Sequence, residues 1–253
     1  MNITELKSMK IKKEKIAVLT CYDSTFAGIL ESCNIDCILV GDSLGMVIKG
    51  DRTTLTVTLK ETVYHLRSVC RNTKKTFIIV DMPFSTFQQN PQETFKNAAK
   101  LMENGAQMIK VEGGSWLLET VDFLSTRGIP VCTHVGMLPQ AIHKIGNYKK
   151  FGKTINEHDR LIQTSVDFEN AGSELIVLEL VEEALAGKIT NLLKIPTIGI
   201  GSGKNVDGQV LVLYDILGIG SNPSFAKDFL IDSSSIKESV GNFIKSVKNN
   251  TYP

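Results

Sequence analysis

Several apolar runs in this 253-residue chain stop at ionisable side chains. Residues 38–45 read ILVGDSLG, where aliphatic residues run into Gly41 and then into Asp42 and Ser43. Further on, FIIV (77–80) stops at Asp81, the run over 107–112 carries Lys110 and Glu112, the run over 129–134 ends in His134, and IVL (176–178) precedes Glu179. A short apolar run is what a strand buried on both faces looks like. A carboxylate just past the carboxyl end of such a strand can bind a hard cation or a substrate. Each residue also has a plainer reading. Asp42 could cap the next helix, Asp81 could form a turn, and Lys110 could simply pair with Glu112. His134 could be a satisfied core histidine, and Glu179 could face a neighbouring helix. Taken together the strand ends favour a site, because buried charges are costly unless paired or metal-bound.

The chemistry can be narrowed. Asp42, Asp81 and Glu112 form an all-oxygen set that suits Mg²⁺ rather than zinc, with water and substrate completing the octahedron. Lys110 offers fixed positive charge to a substrate carboxylate. A divalent ion chelated by a 2-oxo acid polarises the carbonyl and lowers the cost of an enolate, and a base can then take the adjacent proton. Glu179 follows a hydrophobic approach that would raise a carboxylate's pKa. His134 competes for that role. GIGSG (199–203) invites a phosphate-cradle reading but lacks dinucleotide spacing, so close backbone packing is the alternative.

Strands are expected at 15–20, 37–40, 77–80, 107–112, 129–134, 174–180, 195–198 and 210–216. Helices are expected at 3–9, 24–29, 59–71, 91–103, 117–126, 157–171, 182–193 and 236–247. Asp23 or Ser24 would cap the second of these, with Phe26, Ile29 and Leu30 on one face. Residues 141–153 (AIHKIGNYKKFGK) are polar and punctuated by glycine, and read as a long surface loop or lid. Strand and helix alternate without a linker, which calls for parallel strands joined by helical crossovers. A doubly wound sheet and a closed (β/α)₈ barrel both satisfy that pattern. Eight units in this length favour the barrel, as one domain over 1–253 with a short N-terminal helix.

Composition narrows the partners. A formal net charge of +1 gives no case for nucleic acid or an anionic membrane surface. Apolar content of 42% and charged content of 22% suit an ordinary globular core. Five cysteines (Cys21, Cys33, Cys37, Cys70, Cys132) form no CxxC pair, which suggests free thiols in a reducing compartment. The basic N-terminus (MNITELKSMKIKKEK) has no apolar stretch for a signal peptide. No run approaches the roughly 18 apolar residues of a membrane span. A soluble cytoplasmic protein is expected.

The motifs LTCYD (19–23), VGDSLGMV (40–47), VDMPF (80–84), KVEGG (110–114), THVGMLPQ (133–140), LEL (178–180) and IGIGSG with DGQVLV (198–212), in this order and spacing, span nearly the whole chain. They resemble the ketopantoate hydroxymethyltransferase (3-methyl-2-oxobutanoate hydroxymethyltransferase) family. The resemblance implies a (β/α)₈ TIM barrel of the phosphoenolpyruvate/pyruvate type, assembled as a homodecamer. It implies transfer of a hydroxymethyl group from 5,10-methylenetetrahydrofolate to 3-methyl-2-oxobutanoate, giving 2-dehydropantoate for pantothenate and coenzyme A biosynthesis. It further implies Mg²⁺ on Asp42, Asp81 and Glu112, and substrate contacts from Asp42, Ser43, Asp81 and Lys110. Glu179 matches the family's proton acceptor, and His134 a further active-site residue.

Three stretches depart from the pattern. IGNYKKFGK (145–153) stands where a GGYKVQG-like loop is common, Ser202 stands where alanine is usual, and NPSFAKDF after Ser221 matches loosely. All lie outside the expected metal and base set. A rival on the same scaffold is an enzyme of the phosphoenolpyruvate mutase or isocitrate lyase type, whose lyase members rely on a cysteine loop. No cysteine lies between Cys70 and Cys132, which argues against it. A non-catalytic metabolite-binding barrel would predict a missing base or a broken metal set, and neither is missing here.

Overall fold

The computed structural model describes residues 1–220 and 223–252. Its strands are β1 (Ile16–Thr20), β2 (Cys37–Val40), β3 (Phe77–Asp81), β4 (Met108–Glu112), β5 (Val131–Gly136), β6 (Leu175–Glu179), β7 (Thr197–Ile200) and β8 (Gly208–Leu211). Each pairs in parallel with the next, and β8 closes on β1 through Val18 opposite Val210. The helices are α1 (Ile3–Lys12), α2 (Ser24–Ser32), α3 (Leu44–Val47), α4 (Leu59–Cys70), α5 (Pro91–Glu103), α6 (Leu118–Ser125), α7 (Ile142–Ile145), α8 (Ile155–Asn170), α9 (Glu183–Leu192), α10 (Leu213–Ile216) and α11 (Ile236–Lys248). Local chemistry sets their starts. Asp23 accepts from the backbone of Thr25 and Phe26 to cap α2, Thr58 and Glu61 form a reciprocal box on α4, and α5 opens with Asn90 before Pro91.

Strand parity separates two layers of core. Val18, Leu39, Ile79, Met108, Cys132, Val177 and Val210 belong to one buried cluster with Leu6 and Met9 of α1. Their sequence neighbours Leu19, Ile38, Val80, Ile109 and Leu178 belong to a second cluster with Leu30, Leu66, Leu101, Val121 and Ile189 of the helices. The first set fills the barrel, and the second seats the helices against it. Because α1 packs on the interior set, and Lys10 pairs with Asp207 ahead of β8, α1 closes the amino-terminal mouth.

The same parity aims the chemistry. Asp81 follows Ile79 by two residues, Lys110 and Glu112 follow Met108, His134 follows Cys132, and Glu179 follows Val177. All five therefore point into the barrel at its carboxyl end.

Several boundaries differ from expectation. The eighth strand is Gly208–Leu211 rather than 210–216, because the apolar stretch after Val212 turns into α10. Strands five and seven start later than expected, after Pro130 and Pro196, which lack the N–H a ladder needs. Residues 141–153 are not a plain loop. They contain α7, and Phe151 pairs in a parallel bridge with Val181. Ser221 and Asn222, where the loosely matching segment begins, lie outside the described residues. Among the described residues, no helix is long and apolar enough to cross a membrane.

Candidate active site

Asp42, Ser43, Asp81, Lys110, Glu112, His134 and Glu179 line one cavity of about 620 Å³ at the carboxyl end of the strands. The approach of the first three depends on Gly41. A Cβ there would stand 2.8 Å from Ser43 Oγ and 3.4 Å from Asp81 Oδ2. Instead the Asp42 N–H donates to Asp81 Oδ2 at 3.0 Å. Asp42 is not a helix cap. Its Oδ2 accepts from Gln140 Nε2 at 2.8 Å, while Ser43 takes the position before α3 without a side-chain cap bond. Ser43 Oγ instead lies 2.8 Å from the Tyr22 hydroxyl.

A chain of ionic contacts crosses the floor. Lys110 Nζ lies 2.8 Å from Asp81 Oδ1 and 3.3 Å from His134 Nδ1. That same Nδ1 lies 3.5 Å from Glu112 Oε2, and His134 Nε2 lies 3.2 Å from Glu179 Oε2. Nδ1 can accept from the ammonium or, when protonated, donate to Glu112, but not both. When Nδ1 accepts, or when both ring nitrogens are protonated, Nε2 carries a proton and faces Glu179. Asp81 Oδ1 and His134 Nε2 are buried and lack an aligned hydrogen bond among the described residues, so their contacts are ion pairs with capacity to spare.

Electrostatics follow from burial and crowding. Burial lifts the Asp42 carboxyl well above the usual carboxylate range, and Asp81 and Glu112 lift it further against the pull of Lys110 and Gln140. For Lys110, burial works against the charge, yet Asp81, Glu112 and Asp42 hold the ammonium above its ordinary value. For His134, burial and Lys110 oppose protonation, but Glu112 and Glu179 outweigh them and the imidazole sits above its usual value.

This wall is short of positive charge, and Asp42 shows it. A divalent cation would supply that charge and allow Asp42 to ionise. Among the described residues, no three His, Cys, Asp or Glu side chains converge into a cage of their own. Magnesium does not need one, since it keeps several waters and binds through one or two carboxylates plus substrate. The oxygen-only set fits a hard ion in that mode.

The backbone around Glu179 is held on both sides. Gly136 has φ +97°, and a Cβ there would meet the Glu179 carbonyl oxygen at 2.2 Å. Ser202 Oγ accepts from the Val181 N–H at 2.9 Å and donates to the Leu178 carbonyl at 2.7 Å. Within GIGSG the serine is thus a staple for β6, which favours the packing reading of that stretch. Phe151 N–H donates to the Leu180 carbonyl at 2.8 Å, anchoring the divergent loop beside Glu179.

Three contributors lacked a role in the sequence reading. Gln140, in THVGMLPQ, donates to Asp42 and to the Met82 carbonyl, accepts from Gln88, and gives its backbone N–H to Glu112 at 2.7 Å. Its one signal was an amide directly after the apolar Met137-Leu138-Pro139. Tyr22 orients Ser43. Tyr148, half exposed, lines the cavity from the 145–153 loop.

A closed parallel barrel with acids, a lysine and a histidine at its carboxyl rim is a (β/α)₈ enzyme. Solved structures with this fold include phosphonopyruvate hydrolase (TM-score 0.64, 10% identity, 84% of this chain and 81% of that one). A phosphonomutase-like protein from Burkholderia cenocepacia also matches (TM-score 0.65, 12% identity, 86% and 95%). At that identity the likeness shows the fold. The sequence profile described as ketopantoate hydroxymethyltransferase matches residues 1–253. The 3-methyl-2-oxobutanoate hydroxymethyltransferase of Nitrosomonas europaea is 51% identical over 100% of this chain and 95% of the relative. That of Nitrosospira multiformis is 50% identical over 100% and 98%. The chain belongs to the ketopantoate hydroxymethyltransferase family of enzymes.

Proposed function

We propose that this enzyme converts 3-methyl-2-oxobutanoate, 5,10-methylenetetrahydrofolate and water into 2-dehydropantoate and tetrahydrofolate, in the pathway to pantothenate. The observation that carries the reading is Glu179, facing the cavity from a fixed backbone with His134 Nε2 3.2 Å away. In this reading Lys110 holds the substrate carboxylate by charge, and Ser43, oriented by Tyr22, adds a hydroxyl contact. Glu179 takes the C3 proton, and the C3–H electron pair moves into the C2–C3 bond while the carbonyl oxygen gains charge. One C–N bond of the bridging methylene opens, water adds to that carbon, and the second folate nitrogen leaves as both nitrogens take up protons. C3 then bonds to this formaldehyde-level carbon, whose oxygen becomes the hydroxyl. His134 Nε2, beside Glu179, helps fix the position of that carboxylate. Asp42, Asp81 and Glu112 would hold Mg²⁺, which when bound polarises the 2-oxo group and lowers the cost of the enolate.

Full-length similarity to named hydroxymethyltransferases supports the reaction class. By the same likeness we expect a homodecamer, which light scattering would read. The reaction is tested by ¹³C NMR of 3-methyl-2-oxobutanoate with methylenetetrahydrofolate, with and without Mg²⁺. A new hydroxymethyl carbon that requires both folate and metal is the expected result. No such product under any metal would overturn the reading.

A further inference from the structure

A second cavity, of about 850 Å³, opens beside the first and shares Glu112 and Lys149 with it. We propose that this cavity binds the aminobenzoyl ring and the glutamate tail of the folate, an inference that rests on the folate-dependent reading above.

The walls change character from inside to outside. At the inner end stands Glu112, buried, and it is the only acid lining the cavity among the described residues. Next comes an aromatic platform. Trp116 is 55% exposed although it stacks on Phe87 at 6.3 Å between centroids and 9° between planes. Gly113 lets it lie low, since a Cβ at that position would stand 2.8 Å from Trp116 Cζ2. An exposed indole face held in place beside a catalytic pocket suits a flat aromatic ring. At the outer end the lining is basic and exposed, with Lys144 from α7, Lys149 from the loop and Arg160 from α8. A ligand that is flat in the middle and anionic at its free end matches that order, and the glutamates of a folate supply one such end. The cations sit on the divergent stretch 145–153 and its flanking helices, so they would set how strongly this chain prefers a longer glutamate tail.

Trp116 is the only tryptophan in the chain, so its fluorescence reports on this cavity without reference to catalysis. Its emission would be titrated with tetrahydrofolate carrying one glutamate and with the pentaglutamate form. Saturable quenching is expected, with the pentaglutamate binding about five- to tenfold tighter, the scale that a few exposed charge contacts provide. In the double variant Lys144→Glu, Arg160→Glu, both exposed positions, that preference should vanish, and in the native enzyme it should weaken with salt. Equal binding of the two folates, or a preference that survives the charge reversal, would overturn the assignment. An enzyme that enolises its oxo acid but transfers from neither folate would instead overturn the folate reading, and this assignment with it.

Discussion

Gln140 joins two acids that enter the pocket from different parts of the barrel. Its side-chain amide donates to Asp42 Oδ2 at 2.8 Å, and its backbone N–H donates to Glu112 Oε1 at 2.7 Å. One uncharged residue after β5 therefore fixes carboxylates that follow β2 and end β4. Acids that repel each other need such donors to stay in one geometry.

Removing the Gln140 side-chain amide should release Asp42 while the backbone bond to Glu112 remains. Gln140→Leu keeps the volume but removes the donor to Asp42 and the acceptor for Gln88. A loss of about 10–100-fold in kcat/KM or metal affinity is expected, as for other groups that orient metal ligands. Steady-state kinetics across a Mg²⁺ titration would measure it. A variant with normal kinetics and normal metal dependence would remove Gln140 from this role.

Asp42 should cost the metal-free fold stability at neutral pH. Its folded-state pKa lies above the unfolded one. The native state therefore favours the protonated form, and this contribution is fully present below the ordinary carboxylate range. It is lost as pH rises through the raised value. Asp42→Asn in chelated protein should raise Tm at pH 7 by several degrees, at about 2–4 °C per kcal/mol for a chain of this size, while activity is lost. The Tm gain should shrink toward pH 4. A variant less stable than the parent at pH 7 would contradict the origin of the shift.

Gly136→Ala tests whether the backbone positions Glu179. The position combines φ +97° with a Glu179 carbonyl that a Cβ would strike at 2.2 Å. Destabilisation beyond about 1 kcal/mol is expected, because the native backbone is incompatible with a side chain. Urea unfolding would measure stability, and kcat of the folded fraction would fall further than KM rises. A variant of unchanged stability and kcat would show that β5 tolerates the shift.

The barrel was legible because parallel strands buried on both faces leave continuous apolar runs, and FIIV before Asp81 and LIVLE ending at Glu179 have no other easy explanation. The site acids were legible for the same reason, as charges that interrupt those runs. Gln140 was not, because an uncharged amide in a connecting segment carries no pattern, and its partners lie 98 and 28 residues away. The eighth strand is shorter than expected because apolar residues continue from Val210 through Tyr214, and only tertiary packing divides them between β8 and α10. The 141–153 stretch hid its structure for a related reason. Phe151 is fixed by pairing with Val181, a contact that composition does not encode.

The most direct test is proton exchange at C3 of 3-methyl-2-oxobutanoate in D₂O, followed by NMR without folate, with and without Mg²⁺, for the parent and for Glu179→Gln. Deuterium should enter C3 only with metal present, and exchange should fall by about 10²–10⁴-fold in the variant, the usual worth of a positioned base. Exchange that persists in Glu179→Gln would move the proton to His134 or to a water. No exchange in the parent, even with metal and a folate analogue added, would contradict enolate formation at this site.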